Sequence, residues 1–276
     1  MNDLVIGSFA SCWPGIWPSP AMRVINWNIE RGLRLREITD FFASQNADLL
    51  TLQEVDLNAR RTHRLNIAEE IARRLKMNYV FAREFEELTQ GSHTSPAYHG
   101  QATLSRWRIT NPRIIRFQRQ SDFWRPRWYL PRASLFQERI GGRIALVTEV
   151  KFAGKQLTVY NLHLESRGDN RLRLAQLDEV LRDIERCACK SPVLLAGDLN
   201  FDALQVFRDK AHRGLDFRCA LDVPPAVTTP PHGLLQRGHP IDWAFVSGPI
   251  KAERGCVHDN INASDHYPLS FMIRHG

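Results

Sequence analysis

Cysteine is scarce and scattered: the five thiols (Cys12, Cys187, Cys189, Cys219, Cys256) among 276 residues form an odd set without paired spacing. That excludes a disulfide framework and fits a reducing, cytoplasmic compartment. Cys187 and Cys189 flank a single alanine near the end of a helical stretch and lack the paired spacing of a zinc site. No run of about 18 consecutive apolar residues exists, so no membrane-spanning helix is expected. The apolar stretch from Leu4 to Trp17 is short, has no basic start and contains Pro14, which sets it apart from a signal peptide. Residues 1–22 are read as a flexible or surface-packed leader. Internal repeats, low-complexity tracts and a dividing linker are missing too, so residues 23–276 are expected to form one catalytic domain, a monomer.

What is present is a large apolar fraction and an excess of cations. Hydrophobic residues make up 43% of the chain, enough for a sizeable core. Lys and Arg number 37 against 30 Asp and Glu, a formal charge of +7, which favours polyanions such as nucleic acid or an acidic membrane face.

Periodicity places the elements. Arg23 to Ile29 reads as a strand with Val24, Asn26 and Asn28 on one face, Glu37 to Ala47 as a helix, and Asp48 to Gln53 as a buried strand ending at Glu54. Asn66 to Lys76 carries Ile67, Ile71 and Leu75 on one helical stripe and precedes a short strand around Tyr79 to Ala82. Ile144 to Phe152 and Gln156 to Leu164 alternate about Ala153-Gly154-Lys155 as a hairpin. Arg171 to Cys187 is a helix, Pro192 to Ala196 a strand delivering Asp198, and Ile241 to Val246 and Leu269 to Ile273 two further strands. Pro224 to Gly238, rich in proline, is a surface loop.

At the ends of these strands stand five clusters: Asn26-Trp27-Asn28, Leu52-Gln53-Glu54-Val55, Asn161-Leu162-His163-Leu164, Gly197-Asp198-Leu199-Asn200 and Ser264-Asp265-His266-Tyr267-Pro268-Leu269. Hydrolysis of a phosphodiester needs a carboxylate-held hard cation, a polarised water and donors for the charge developing on phosphorus. Taken singly, each cluster has a plainer account. Glu54 would be a solvated strand end, Asp198 and Asn200 an Asx turn, and Asp265-His266 a turn before Pro268. Taken together, they assign Glu54, Asn28 and Asp265 to Mg²⁺ or Mn²⁺, which prefers oxygen ligands. Asp198 would orient or deprotonate the attacking water and Asn200 would contact phosphate. Asp242 would orient His266 as base or charged stabiliser, and His163 would be a second donor. The other histidines, His63, His99 and His239 among them, show no acidic partner in the pattern. Arg60, Arg61, Arg132 and the stretch Phe123 to Tyr129 form a candidate substrate wall, cations and aromatic faces together suiting exposed bases.

The ordered set Asn28, Glu54, His163, Asp198/Asn200, Asp242 and Asp265/His266 resembles the endonuclease/exonuclease/phosphatase superfamily with its deoxyribonuclease I-like fold, from about Arg23 to Arg274. The resemblance implies an α/β protein, a four-layer sandwich of two packed mixed β-sheets flanked by helices, with the active site at one edge. It implies Glu54 as metal ligand, with Asn28, Asp265 and Glu30 nearby, and a shared activation of water by Asp198 and His266. Asp56 stands where abasic-site endonucleases usually have Lys, and Asp202 where inositol-polyphosphate phosphatases carry Arg. His163-Leu164-Glu165-Ser166 is similar to the magnesium-dependent tyrosyl-DNA phosphodiesterase. The expected function is a metal-dependent phosphodiester hydrolase of nuclease type acting on nucleic acid. The alternative is a sphingomyelinase-like phospholipid hydrolase or another small-molecule phosphodiesterase. A non-catalytic binder fits poorly, because none of the required groups is missing.

Overall fold

Alternating burial along the chain produces the elements of the computed structural model, which describes residues 3–10, 21–124, 136–152, 154–187, 191–209, 216–231 and 238–275. They run β1 (Leu4–Ser8), β2 (Ala21–Arg31), α1 (Leu35–Ser44), β3 (Leu49–Leu57), α2 (Ile67–Leu75), β4 (Asn78–Glu87), β5 (Ala97–Ser105), β6 (Ile109–Arg116) and β7 (Arg139–Gly141). Then follow β8 (Ile144–Phe152), β9 (Lys155–His163), α3 (Asn170–Cys187), β10 (Val193–Asp198), α4 (Leu204–Asp209), β11 (Arg218–Cys219), β12 (Asp242–Ser247), β13 (Ile250–Val257) and β14 (Leu269–His275).

Two mixed sheets result. The first orders its strands β1-β4-β5-β3-β2-β14-β13, with β7 beside β4, and the second β11-β12-β10-β9-β8-β6. Each holds one parallel pair, β2 with β3 and β9 with β10. Helices α1 and α2 cover the outer face of the first sheet, where Ile38, Phe41, Phe42, Ile67 and Ile71 meet Ile25, Trp27 and Leu52. Helix α3 covers the second, through Leu177, Val180, Leu181 and Ile184. The inner faces meet through Val24, Leu49, Phe271, Val159, Leu194 and Val246, which completes the four layers. Burying each such side chain contributes roughly 1.5–3 kcal/mol, so the layering is set by apolar area. Among the described residues no helix is long and apolar enough to cross a membrane.

One end of the sheet interface is polar. Gln53 Nε2 donates to Asn26 Oδ1 (2.9 Å) and to Asn161 Oδ1 (2.7 Å), and Asn161 Nδ2 donates to the carbonyls of Leu52 (3.1 Å) and Ala102 (2.9 Å). These bonds tie the two sheets together and fix the offset of one upon the other, since a slip would break them at a cost of about 1–3 kcal/mol for each group left unpaired.

The N-terminal reading is corrected. Leu4–Ser8 is an edge strand of the first sheet, with Leu4 opposite Ala82 and Ser8 opposite Asn78. The expected boundary at residue 23 also falls inside β2. Leu4 and Val5 are half-buried, Val5 packing against the helix-covered core, which is why this segment joins the sheet. Of the expected surface loop Pro224 to Gly238, residues 232–237 lie outside the described set.

Candidate active site

Strand ends from both sheets converge at the polar end of the sandwich. In the second sheet β10 lies between β9 and β12, so that Asp198 is in register with His163 on one side and Asp242 on the other. Gly197 makes this approach possible, because a Cβ there would sit 2.0 Å from the Leu162 carbonyl oxygen. In the first sheet β14 pairs with β2, and the loop before it folds back onto that strand. Ser264 Oγ donates to the Asn28 carbonyl (2.7 Å) and Trp27 Nε1 to the His266 carbonyl (2.8 Å).

These contacts bring Asn28, Asp198, Asp242 and His266 together. Asp242 Oδ2 lies 2.8 Å from His266 Nδ1 and accepts the Thr228 hydroxyl at 2.7 Å. His266 Nε2 is 3.8 Å and His163 Nε2 3.5 Å from Asp198 Oδ2, to which Asn28 Nδ2 donates at 3.2 Å. Burial alone would discharge His266, but Asp242, Asp198 and Asp265 outweigh it and hold the imidazolium up to about 10. Burial, reinforced by Asp242, pushes the Asp198 carboxyl well above the ordinary carboxylate range. Near neutrality His266 is thus cationic beside an Asp198 carboxylate that can take up a proton.

His163 differs in kind. Its Nδ1 lies 2.8 Å from Arg143 Nη1, and a guanidinium can only donate, so Nδ1 is the acceptor and the proton sits on Nε2, facing Asp198. Burial, with the positive charge of Arg143, keeps the ring neutral well below its usual range. Arg143 is itself held by Glu84 Oε2 (3.0 Å), and Gln101 Nε2 donates to Glu84 Oε1 (2.7 Å). Neither Arg143 nor Glu84 stands out in the sequence. Arg143 precedes β8, the hairpin partner of β9, whereas Glu84 comes from β4 of the other sheet.

Glu54 projects from an irregularity in β3, where register with β5 shifts between Leu52 and Val55, and its φ is 52°. Glu30, Arg31 and Asn200 are also left-handed, with φ of 44°, 67° and 57°. Each such residue costs on the order of 1 kcal/mol or more, and others fall elsewhere, at Asn46 and Lys76 after helices α1 and α2 and at Asn111 in β6. Burial pushes the Glu54 carboxyl up, but His99, Arg31, Arg143 and His266 together hold it at about 2. Arg31 Nε is 3.9 Å away. Glu30 is raised by burial and by the like charges of Asp265 and Glu54, so three carboxylates crowd one place.

Two sets of groups could therefore hold a metal. One ligand atom from each of Asp198, Asp242 and His266 lies within 4.8 Å of the others, and all three residues are buried. Glu54, Glu30 and Asp265 offer only carboxylate oxygens, near enough for Glu30 to feel the like charge of the other two, which suits a hard divalent ion. The residues present fit such an ion.

The remaining expected residues fall differently. Asn200 spends its side chain on the Leu164 carbonyl (3.1 Å), while its backbone N–H donates to Asp198 Oδ1 (3.0 Å), an Asx turn that braces Asp198. Arg61 is corrected as a free phosphate contact. Its Nε and Nη2 each reach Asp56 at 2.7 Å and Nη1 reaches Glu87 at 3.3 Å, leaving its side chain 18% exposed. Arg60 is exposed on the same turn. Arg132 and the stretch from Arg125 onward lie outside the described residues, whereas Trp124 is buried and donates to Glu165 Oε1 at 3.0 Å. His99, expected to lack an acidic partner, has one: its Nδ1 is 3.2 Å from Asp56 Oδ1, and both side chains are wholly buried.

The sequence profile of the Endonuclease/Exonuclease/phosphatase family matches residues 25–266. The chain belongs to that family, whose members hydrolyse phosphate esters. No curated protein matches it significantly. Among solved structures it is similar to an endonuclease/exonuclease/phosphatase from Beutenbergia cavernae at 18% identity and TM-score 0.66, covering 93% of this chain and 72% of that one. The human Nocturnin catalytic domain with bound sulfate aligns at 19% identity and TM-score 0.64, over 93% and 94% of the two chains. TDP2 from Caenorhabditis elegans aligns at 20% identity and TM-score 0.62, over 92% and 74%. At such identities these likenesses establish the fold, an α/β sandwich of two packed mixed sheets.

Proposed function

We propose that this chain is a phosphodiesterase dependent on Mg²⁺ or Mn²⁺ and directed at nucleic acid. The observation that carries the reading is the convergence of Asn28, His163 and His266 on Asp198 Oδ2, at 3.2, 3.5 and 3.8 Å, beside the carboxylates of Glu54, Glu30 and Asp265.

A divalent ion bound by Glu54, with Asn28 and Asp265 beside it, would supply Lewis-acid charge next to the phosphate. The protein's own groups account for the rest. Asp198, raised toward neutrality, accepts a proton from the water that attacks phosphorus, while the bond to the leaving oxygen breaks. His266, kept cationic by Asp242, faces the negative charge that grows on the phosphoryl oxygens. The Nε2–H of His163 and the Asn28 amide add neutral donors. Nucleic acid is favoured over lipid by the +7 charge and by the solvent-facing Arg60 on the turn after β3.

Purified protein should hydrolyse an aryl phosphodiester and at least one of single-stranded DNA, duplex DNA or RNA. A chelator should abolish turnover and added Mg²⁺ or Mn²⁺ restore it. Glu54→Gln should lower kcat by two to three orders of magnitude, about 3–4 kcal/mol, with an unchanged melting profile. Full activity in excess chelator would sink the metal dependence. Cleavage of phospholipid with none of either nucleic acid would transfer the assignment to a lipid phosphodiesterase.

A further inference from the structure

On the His163 side of the site the protein takes up its own cations. Arg139 is paired with Glu87 and Glu138, Arg143 with Glu84, and Arg173 donates to the carbonyls of Glu165 (2.7 Å) and Ser166 (3.0 Å). Arg167 differs. It is exposed, makes no ion pair among the described residues, and holds its guanidinium carbon 4.7 Å from the ring centre of Phe123 and 5.9 Å from that of Trp124. The two aromatic residues differ as well. Trp124 is 6% exposed, packed on Phe85 at 5.2 Å with its indole N–H on Glu165, whereas Phe123 stands edge-on to it at 4.6 Å and is 48% exposed.

Contacts of two kinds place Phe123 and Arg167 beside the reacting groups. Along the loop after β9, Ser166 Oγ accepts from Arg143 Nη2 (3.2 Å), while Nη1 of the same guanidinium is 2.8 Å from His163 Nδ1. Through the rings, Arg143 lies 5.3 Å from the centre of Phe85, which touches Trp124, which touches Phe123. The loop is tied down: besides the two bonds from Arg173, Gln176 Oε1 accepts the Glu165 N–H (3.0 Å) and Glu165 Oε1 accepts the Arg167 N–H (2.9 Å). That same Glu165 oxygen accepts Trp124 Nε1, so one buried carboxylate sets the aromatic turn against the arginine loop.

We propose that Phe123 and Arg167 form a stacking site for an unpaired nucleobase next to the scissile phosphate, on its His163 side. The inference rests on the nucleic-acid reading above and narrows it to a substrate that is single-stranded at that position. About half of the Phe123 ring is open to a base, and the guanidinium held against it answers the negative charge of a neighbouring phosphate. Trp124 cannot take the part, because its ring is already covered by Phe85 and Arg139. A duplex keeps its bases stacked on one another and offers no face to this ring.

The test measures binding of oligothymidylate, oligouridylate and strands of abasic sugar-phosphate, with Glu54→Gln as the background that prevents cleavage, together with melting curves and steady-state kinetics in the active chain. Phe123→Ala should weaken binding of the base-bearing strands about tenfold, and raise KM while kcat holds. Phe123→Trp, which keeps a stacking face, should restore the affinity. Arg167→Ala should weaken binding and flatten its salt dependence, whereas Arg167→Lys should keep the salt dependence. Abasic strands should not distinguish Phe123→Ala from the unsubstituted residue. A ring that merely shields Trp124 would lower the melting temperature and leave every affinity alone. Unchanged affinity of folded Phe123→Ala for both base-bearing strands overturns the proposal. If that variant does not fold, equal binding of base-bearing and abasic strands by the chain with Phe123 intact does so. Failure of that chain to bind any strand removes the nucleic-acid reading and the stacking site with it, whereas binding that ignores Phe123 removes the stacking site alone.

Discussion

Two histidines that look alike in sequence are opposites at the residue level. His266 touches a carboxylate and is held cationic, while His163 touches a guanidinium and is held neutral. The difference has a consequence for stability. The unfolded chain binds a proton to His163 near pH 6.5, but the folded chain resists it until much lower pH. The unfolded state thus takes up more protons as pH falls below about 6.5, and folding loses free energy there. Denaturant melts of wild type and His163→Gln between pH 7.5 and 5 should show a decline in the wild type that the variant lessens. Parallel declines would mean that His163 does not carry this linkage. The carboxylate beside His266 was legible in the chain as Asp242, whereas the neutral state of His163 was not, because Arg143 and Glu84 reach it from outside its own cluster.

Between elements, β12 and the loop before β14 must act as a unit, since one supplies Asp242 and the other His266. Asp242→Asn and His266→Ala should each lower kcat by two orders of magnitude or more, and the double variant should lose little beyond the worse single one. The pH profile adds a sharper sign. Raised to about 10 by its carboxylate neighbours, the His266 imidazolium persists through neutral pH in the wild type, so activity should hold on the alkaline side. Asp242→Asn removes one of those charges, and the alkaline limb should move to lower pH. An unmoved limb would show that His266 is not the titrating group. Elements that pair apolar and polar residues in simple period were legible: β8, β9, β10 and α3 fall within a few residues of where their patterns put them. Strand β5 escaped notice because His99, Gln101 and Thr103 interrupt its apolar run, yet all nine of its residues are buried. Its polar side chains face the polar end of the sheet interface, an environment that one strand's pattern cannot announce. The same cause hid His99 and Asp56, whose partnership exists only through the pairing of β3 with β5.

Over the whole molecule, family and layering were legible because the clusters occur in a fixed order, each at a strand end. Substrate preference was not, since it depends on surface cations and on who else pairs with them, as Arg61 shows. The charge of +7 still makes a prediction. With Glu54→Gln used to prevent cleavage, binding to single-stranded DNA should weaken steeply between low and moderate salt. Each phosphate contact should add roughly 0.7 to the magnitude of the log–log slope. Arg60→Ala should reduce that slope by about one contact and leave Mn²⁺ affinity alone. Tight binding to anionic vesicles without measurable DNA binding would contradict the nucleic-acid preference.

The bond from Trp27 to the His266 carbonyl spans 239 positions of the chain. During synthesis, therefore, Asn28 and Glu54 emerge from the ribosome well before His266 and the strand that seats it. A nascent chain holds half a site and has nothing to pair it with. Translation itself keeps the site unassembled until His266 and β14 have emerged.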